Sequence, residues 1–390
     1  MVFTAFFCGT GSNHFDTHHR NYKSGELIST LAKNHPGLHY VDYLILDGPG
    51  SGNLQENVKF ITPKNYPKIV GSLTGKGWEN NVNQAIAVLK CEVEKKRIDN
   101  DPFLETILET IKERRQGNIT KVNLIGWSRG AVTCYMMANA MFKDPKLKNI
   151  PVNIFAVDPV PGLLNASIER IILNNNVINH IGVYALDERS LFFNPILPLI
   201  KKSENHGTNG TIITFPGRHA TLVGNSHTSG ASKGPDVLEA PGKIVRHLAE
   251  EFLKEHGTLL NNTLNYHPID LLRLYDEMIK YTPEYNKMNS FSYTKLKYKV
   301  RSFFSANDIR SSKLKKGKID HLKMGEYNEM RIYGNSGPTV FINNHHMKIF
   351  FKYFGGNKNI TDYIELSNNS GLKFTTAYLS LYKTTVSTDL

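Results

Sequence analysis

The sequence predicts an α/β protein, with a mostly parallel central sheet carrying helices on both faces and a smaller C-terminal accessory region. Three observations point there. Over residues 1–256, short apolar runs alternate with amphipathic stretches, the pattern of strands joined by crossover helices. Two of the earliest runs end in glycine-rich turns, Gly9-Thr10-Gly11-Ser12-Asn13 and Asp47-Gly48-Pro49-Gly50-Ser51-Gly52, where the chain reverses. Residues 257–390 are richer in Asn, Tyr and Lys and less periodic, which sets them apart as the accessory region.

The elements follow in order. Phe3–Cys8 and Tyr40–Leu46 read as strands, with a helix at Gly25–Lys33 between them. That helix stops before His35-Pro36, because a residue preceding proline avoids helical dihedrals. Trp78–Lys96 places Val82, Ile86, Leu89 and Val93 on one helical face, and Pro102–Arg115 does the same with Phe103, Leu104, Ile107, Leu108 and Ile111. Val122–Gly126 is a compact buried strand. Ala131–Met141 is apolar all round, so it is expected as a helix covered on both sides. Val152–Val157 follows as a strand, Ser167–Leu173 as a helix, His180–Leu186 and Thr211–Phe215 as strands, and Val237–His256 as a long helix. In the accessory region His267–Tyr281 reads as a helix with Pro268 in its first turn, while Arg331–Tyr353 and Lys373–Thr385 alternate as strands do.

A chain of 390 residues with 40% hydrophobic and 10% aromatic residues can bury a large core, which excludes a disordered or collagen-like protein. Three cysteines, Cys8, Cys91 and Cys134, form no disulfide framework, so a reducing compartment is expected. The N-terminal Met-Val-Phe-Thr-Ala-Phe-Phe-Cys has no basic region of the signal-peptide kind. No apolar run reaches the length of about 18 residues that a membrane-spanning helix needs. The expectation is a protein made in the cytoplasm, with any export following a route that needs no cleaved signal. The net charge is +12, and residues 295–318 hold nine Lys and Arg against the single acid Asp308.

Gly126-Trp127-Ser128-Arg129-Gly130 lies between the strand Val122–Ile125 and the helix that starts at Ala131. That is the context of a nucleophile elbow, in which a serine sits on a sharp strand-to-helix turn with glycines two residues either side. Ser128 is the candidate nucleophile, and the backbone N–H of Arg129 is aimed where an oxyanion would form. The turn at Gly9 and Thr10 is the candidate second half of that oxyanion hole. A serine hydroxyl needs a base, and in this arrangement the partners follow in the order Ser, acid, His. His219, directly after the strand Thr211–Phe215, is the candidate base, with His206, His227 and His247 as alternatives. The candidate acid is Asp158, in Val157-Asp158-Pro159-Val160-Pro161, whose prolines would hold its loop rigid. Asp187, beside Glu188 and Arg189, is the alternative acid and reads as part of an ion-pair cluster. His14-Phe15-Asp16-Thr17-His18-His19 offers four possible metal ligands but no second ligand cluster, so a polar rim is expected there, with neither metal nor cofactor.

Cys8-Gly9-Thr10-Gly11-Ser12-Asn13, Gly48-Pro49-Gly50-Ser51-Gly52, Gly126-Trp127-Ser128-Arg129-Gly130-Ala131, Ala185-Leu186-Asp187-Glu188-Arg189 and Phe215-Pro216-Gly217-Arg218-His219 together resemble the uncharacterised α/β-hydrolase domain family, which includes the type VI secretion lipase effectors. The likeness covers roughly residues 1–250. It implies an α/β-hydrolase fold and hydrolysis of phospholipid acyl esters by a serine triad, with Ser128 and His219 on the matching positions. The family usually carries Asp where this chain has Cys8 and where it has Thr221. Separately, Val157-Asp158-Pro159-Val160-Pro161 is similar to the acid-bearing turn of animal lipases.

The expected activity is therefore a serine esterase, a lipase or phospholipase on membrane lipid, possessing a Ser-His-Asp triad and an acyl-enzyme intermediate. Lys295, Lys297, Lys299, Arg301, Lys313, Lys315 and Lys316 would touch an anionic membrane surface, each adding about 1 kcal/mol of attraction. An esterase or thioesterase on a soluble substrate is the first alternative. A non-catalytic lipid- or nucleic-acid-binding protein on the same scaffold is the second. No nucleic-acid motif accompanies the charge, so nucleic acid is not an expected partner.

Overall fold

The computed structural model describes residues 1–18, 21–51, 59–62, 76–99, 103–115, 119–162, 170–201, 207–227, 236–299, 327–329 and 343–355, and residues 71, 101, 301, 303, 362 and 365 singly. Its centre is a six-stranded sheet made of β1 (Val2–Phe7), β2 (Tyr43–Leu46), β3 (Lys121–Trp127), β4 (Val152–Val157), β6 (Val177–Ala185) and β8 (Asn209–Phe215), all parallel, in the order β2-β1-β3-β4-β6-β8. A small second sheet joins β5 (Ile172–Leu173), β7 (Leu199–Lys201) and β9 (Tyr327–Glu329).

The strand sequences dictate two apolar faces, because successive side chains point to opposite sides of a sheet. Phe3, Ala5 and Phe7 of β1 and Val152, Ile154 and Ala156 of β4 pack on one side with helices α2 (Trp78–Lys90), α3 (Phe103–Arg115) and α4 (Arg129–Lys143). Phe6 of β1 and Phe155 and Val157 of β4 pack on the other, with α1 (Leu27–Lys33), α5 (Ala240–Glu255) and α6 (Pro268–Lys280). Tyr285 and Met288 of α7 (Thr282–Met288) and Ile349 and Phe350 of α8 (Asn344–Phe354) join that second core, so residues beyond 257 help to bury the sheet. A parallel sheet covered this way on both faces matches the continuous apolar runs of its strands.

Local sequence misplaced three elements. The helix expected to Lys96 ends at Lys90, because Cys91 turns left-handed at φ 56°. Lys95–Ile98 forms a separate turn of helix. Ile172–Leu173, expected as the end of a helix, is instead a buried strand paired with Leu199–Ile200, a partner that no local periodicity reveals. Residues 344–353, expected as strand, belong to helix α8. Asn343 accepts a hydrogen bond from the His346 backbone N–H at 2.8 Å, an N-cap interaction, and His346, Ile349 and Phe350 are buried at helical spacing. Residues 373–385 lie outside the described residues.

The edge of the sheet where its strands begin carries a buried amide ladder. Asn179 donates to Asn153 at 2.8 Å, Asn153 to Asn123 at 2.8 Å, and Asn123 to the Thr258 hydroxyl at 2.8 Å. Each amide satisfies its neighbour, and Asn123 and Asn153 are buried. Replacing Asn123 with Ala removes one acceptor and one donor there, and each stranded group costs about 1–3 kcal/mol. Asn123→Ala should therefore lower the urea midpoint clearly, whereas Lys148→Ala, at an exposed position, should leave it within error.

Candidate active site

The order of the sheet reverses between β1 and β3. In open parallel sheets that switch point, at the carboxyl ends of the strands, forms a crevice where ligands bind. Ser128 stands there, between β3 and α4, with φ 59° and ψ −125°. A non-glycine residue at positive φ is strained and persists only where its surroundings hold it. Here the surroundings are two glycines. A Cβ at Gly126 would overlap the backbone of Gly130, and one at Gly130 would overlap the carbonyl of Phe7 in β1. Only glycine lets α4 return so closely over β1. The Ser128 N–H donates to the carbonyl of Val157 at 2.9 Å, which ties the turn to the end of β4.

Asp158 follows directly, fully buried and itself at φ 40°. Its Oδ2 lies 2.6 Å from Nδ1 of His219, which leaves Nε2 as the ring nitrogen turned away from the acid. The His219 ring is 3% exposed and lies 5.0 Å from the Trp127 ring, with the Phe193 ring edge-on at 5.2 Å. Ser128 is 5% exposed. Arg301 Nη2 donates to Oδ1 and Oδ2 of Asp158 at 2.8 and 2.6 Å. Burial alone would push the Asp158 carboxyl up. The Arg301 charge and then the His219 contact outweigh it and hold the carboxyl below the usual range.

Asp187 serves a different purpose. Its Oδ2 accepts from the Gly217 N–H at 2.7 Å, and its own N–H donates to the Gly217 carbonyl at 2.9 Å. It clamps the loop after β6 to the loop after β8, and burial pushes its carboxyl up to about 6. The ion-pair cluster expected around Asp187 is carried by Glu188 instead. Glu188 accepts from Arg218 Nε at 3.3 Å and the His219 N–H at 3.4 Å, and from the Ser190 N–H at 2.7 Å. Arg189 donates to the carbonyls of Leu186 and Glu188 at 2.7 and 3.1 Å. Glu188 and Arg218 thus steer the backbone that presents His219, a role sequence reading missed although both residues lie in motifs it singled out.

The first turn is brought to the same place. Gly11 N–H donates to the Pro49 carbonyl at 3.1 Å and Gly48 N–H to the Ser12 carbonyl at 2.9 Å, so the turns after β1 and β2 interlock. Arg129 Nη1 donates to the Thr10 hydroxyl at 2.9 Å, and its Nε to the Pro161 carbonyl at 3.2 Å. Gly9, Thr10 and Arg129 therefore gather beside Ser128 at the N-terminus of α4, the positive end of its dipole.

Of the other predicted residues, His247 lies in α5 against Tyr266, with ring centroids 5.9 Å apart, and His227 donates its N–H to Asn225 at 2.9 Å. His206 is outside the described residues, as are Lys313, Lys315 and Lys316. Lys295, Lys297 and Lys299 are exposed. Arg301, expected on the surface with them, is not: its side chain is 6% exposed and paired with Asp158. The flanking Val300 and Phe303-Phe304 are the signal that set it apart from its lysine neighbours. His14 meets Asp47 Oδ1 through both its N–H and Nδ1, each at 2.9 Å. Among the described residues no group of three or more His, Cys, Asp or Glu side chains is arranged to hold a metal ion. A cavity of about 720 Å3 lies along His14, Phe15, His39, Tyr43 and Phe103; its lining includes neither Ser128 nor His219.

No protein-family model and no curated protein matches the chain. One solved structure with which it aligns is the crystal structure of an uncharacterized protein from Pseudomonas aeruginosa, at 12% identity and a TM-score of 0.39, over 99% of this chain and 62% of that one. The chain thus spans less than two thirds of that protein's length.

Three buried carboxylates surround Cys8 at the end of β1: Asp16, Asp47 and Glu26. Glu26 caps α1 through the Ser29 N–H at 2.9 Å, and burial raises its carboxyl from 4.5 to about 7. The folded chain therefore holds this proton over a range where the unfolded chain has lost it, so stability falls as pH rises from 4.5 to about 7. Each unit of separation is worth about 1.4 kcal/mol. Glu26→Gln keeps the cap acceptor without the charge. Its denaturation midpoint should draw progressively above that of wild type between those two pH values.

Proposed function

We propose that the chain is a serine hydrolase with an α/β-hydrolase fold that cleaves carboxylic esters through Ser128, His219 and Asp158. The observation that carries this reading is the strained Ser128 turn at the switch point of the sheet, joined there by a buried His219–Asp158 pair at 2.6 Å. Ser128 Oγ attacks the ester carbonyl while Nε2 of His219 takes its proton. The backbone N–H groups of Arg129 and of Gly9 or Thr10 hold the oxyanion. The imidazolium then protonates the leaving alcohol, and an acyl-Ser128 intermediate forms. Water, deprotonated by the same imidazole, releases the acid. Asp158 keeps the His219 tautomer with its proton on Nδ1 and stabilises the imidazolium.

Membrane lipid, and phospholipid in particular, is the substrate class we favour. Its support is the motif resemblance together with the exposed run Lys295, Leu296, Lys297 and Lys299, in which Leu296 is 65% exposed. Cations beside an exposed apolar side chain suit an anionic lipid surface.

Two measurements test the reading. A fluorophosphonate probe should label the wild type and fail on Ser128→Ala; equal labelling would remove the serine mechanism. Asp158→Asn should cut kcat by about 10^3–10^4, the effect of losing the base's orienting acid, whereas Asp187→Asn should stay within about tenfold of wild type because Asp187 holds the Gly217 backbone and the Asn289 side chain rather than the imidazole. Liposomes of phosphatidylglycerol and a short soluble ester, run in parallel, separate a lipid substrate from a soluble one.

A further inference from the structure

Asp158 is more fully engaged than orienting an imidazole requires. A carboxylate offers about four lone-pair sites, and here all are taken. Oδ1 accepts from the Ala185 N–H at 3.2 Å and from Arg301 at 2.8 Å; Oδ2 accepts from His219 at 2.6 Å and from Arg301 at 2.6 Å. Arg301 comes from beyond residue 257, far in sequence from the strands that carry the triad. The segment that brings it is docked by backbone contacts, with Tyr298 N–H donating to the Arg189 carbonyl at 2.8 Å and Tyr293 N–H to the Ser190 hydroxyl at 2.8 Å.

We propose that Arg301 is a positioning residue of the triad, acting through Asp158: its paired contacts fix the carboxylate plane against His219, and its charge sets the acid limb of the activity profile. This rests on the serine-hydrolase reading above. A lone carboxylate stabilises the imidazolium with its full charge. One already paired to a guanidinium stabilises it far less, so removing Arg301 should strengthen the hold of Asp158 on the imidazolium.

The other charges nearby do not substitute. Arg218 is engaged by Glu188 and stacks over the Tyr293 ring at 4.0 Å. Arg189 binds carbonyls, and Asp187 is held by Gly217. Tyr184 and Tyr293 carry hydroxyls that burial pushes up, so neither ionises where the base works. Arg301 is the guanidinium in contact with the acid.

The test compares Arg301→Gln and Arg301→Lys with wild type on a short soluble ester across pH. It is repeated in an Asp187→Asn background to remove the buried carboxyl of the loop that clamps Gly217, beside His219, which burial pushes up to about 6. Arg301→Gln should move the acid limb of kcat/KM up by about one pH unit and lower kcat, with KM changed less than about twofold. Arg301→Lys should leave the limb near that of wild type and lower kcat about tenfold, since one ammonium can reach Asp158 as Nη2 does but cannot also hold the Glu188 carbonyl, which Nη1 meets at 3.5 Å. An acid limb in folded Arg301→Gln that coincides with wild type overturns the proposal. Should Arg301→Gln not fold, Arg301→Lys decides: wild-type kcat there overturns it.

A second readout needs no turnover. With 13C-labelled histidine, the His219 imidazole, assigned by its loss in His219→Gln, should titrate at higher pH in Arg301→Gln than in wild type. If the fluorophosphonate never labels Ser128, the hydrolase reading fails while this titration still judges the Arg301–Asp158–His219 coupling. If Ser128 labels and the titration does not move, the Arg301 proposal fails alone.

Discussion

Ser128 holds its left-handed backbone because Gly130 rests on the carbonyl of Phe7 and Gly126 rests on Gly130. That contact exists only because β1 and β3 are neighbours in the sheet, with Phe7 opposite Gly126. The same adjacency places the turn at Gly9 and Thr10 beside Ser128 and lets the Arg129 side chain bind Thr10. A larger residue at either glycine would lift α4 from β1 and separate all of these groups at once.

The remaining members must be drawn in from further along the sheet. Asp158 has the shorter way, since β4 adjoins β3 and Val157 accepts the Ser128 N–H. His219 leaves β8, two strands beyond β4. Its return depends on the clamps between the loops after β6 and β8: Leu186 to Phe215, Asp187 to Gly217, and Glu188 to Arg218 and the His219 backbone. Buried ion pairs such as Glu188–Arg218 repay their desolvation poorly as sources of stability. Their value here is geometric, because a satisfied buried network admits one arrangement. The asparagine ladder at the other edge of the sheet does the same for strand register, far from Ser128.

Much of this could be read in the chain. The apolar periodicities give all six central strands within a few residues, and the glycine spacing around Ser128 marks the turn. Proline beside Asp158 favoured it over Asp187, and the geometry places Asp158, not Asp187, on His219. The helix ending at Lys90 stops at the left-handed turn of Cys91, but the other two misplacements share a cause. Ile172–Leu173 is a strand because of Leu199–Ile200, and residues 344–353 are helical because Asn343 caps them and Ile349 and Phe350 find the second core. A pattern within ten residues contains no term for partners so distant.

By itself the sequence determined what local sterics and periodicity encode: the strand–turn–helix at Ser128, the alternation of strands and helices, and the placing of Asp158 and His219 at strand ends. Only the tertiary structure decided which acid meets the imidazole, how Glu188 and Arg218 aim it, and that Arg301 leaves its lysine neighbours to pair with Asp158. Those outcomes depend on charges brought together from 30, 61 and 143 residues apart and buried, where a contact of 2.6 Å outweighs any local preference.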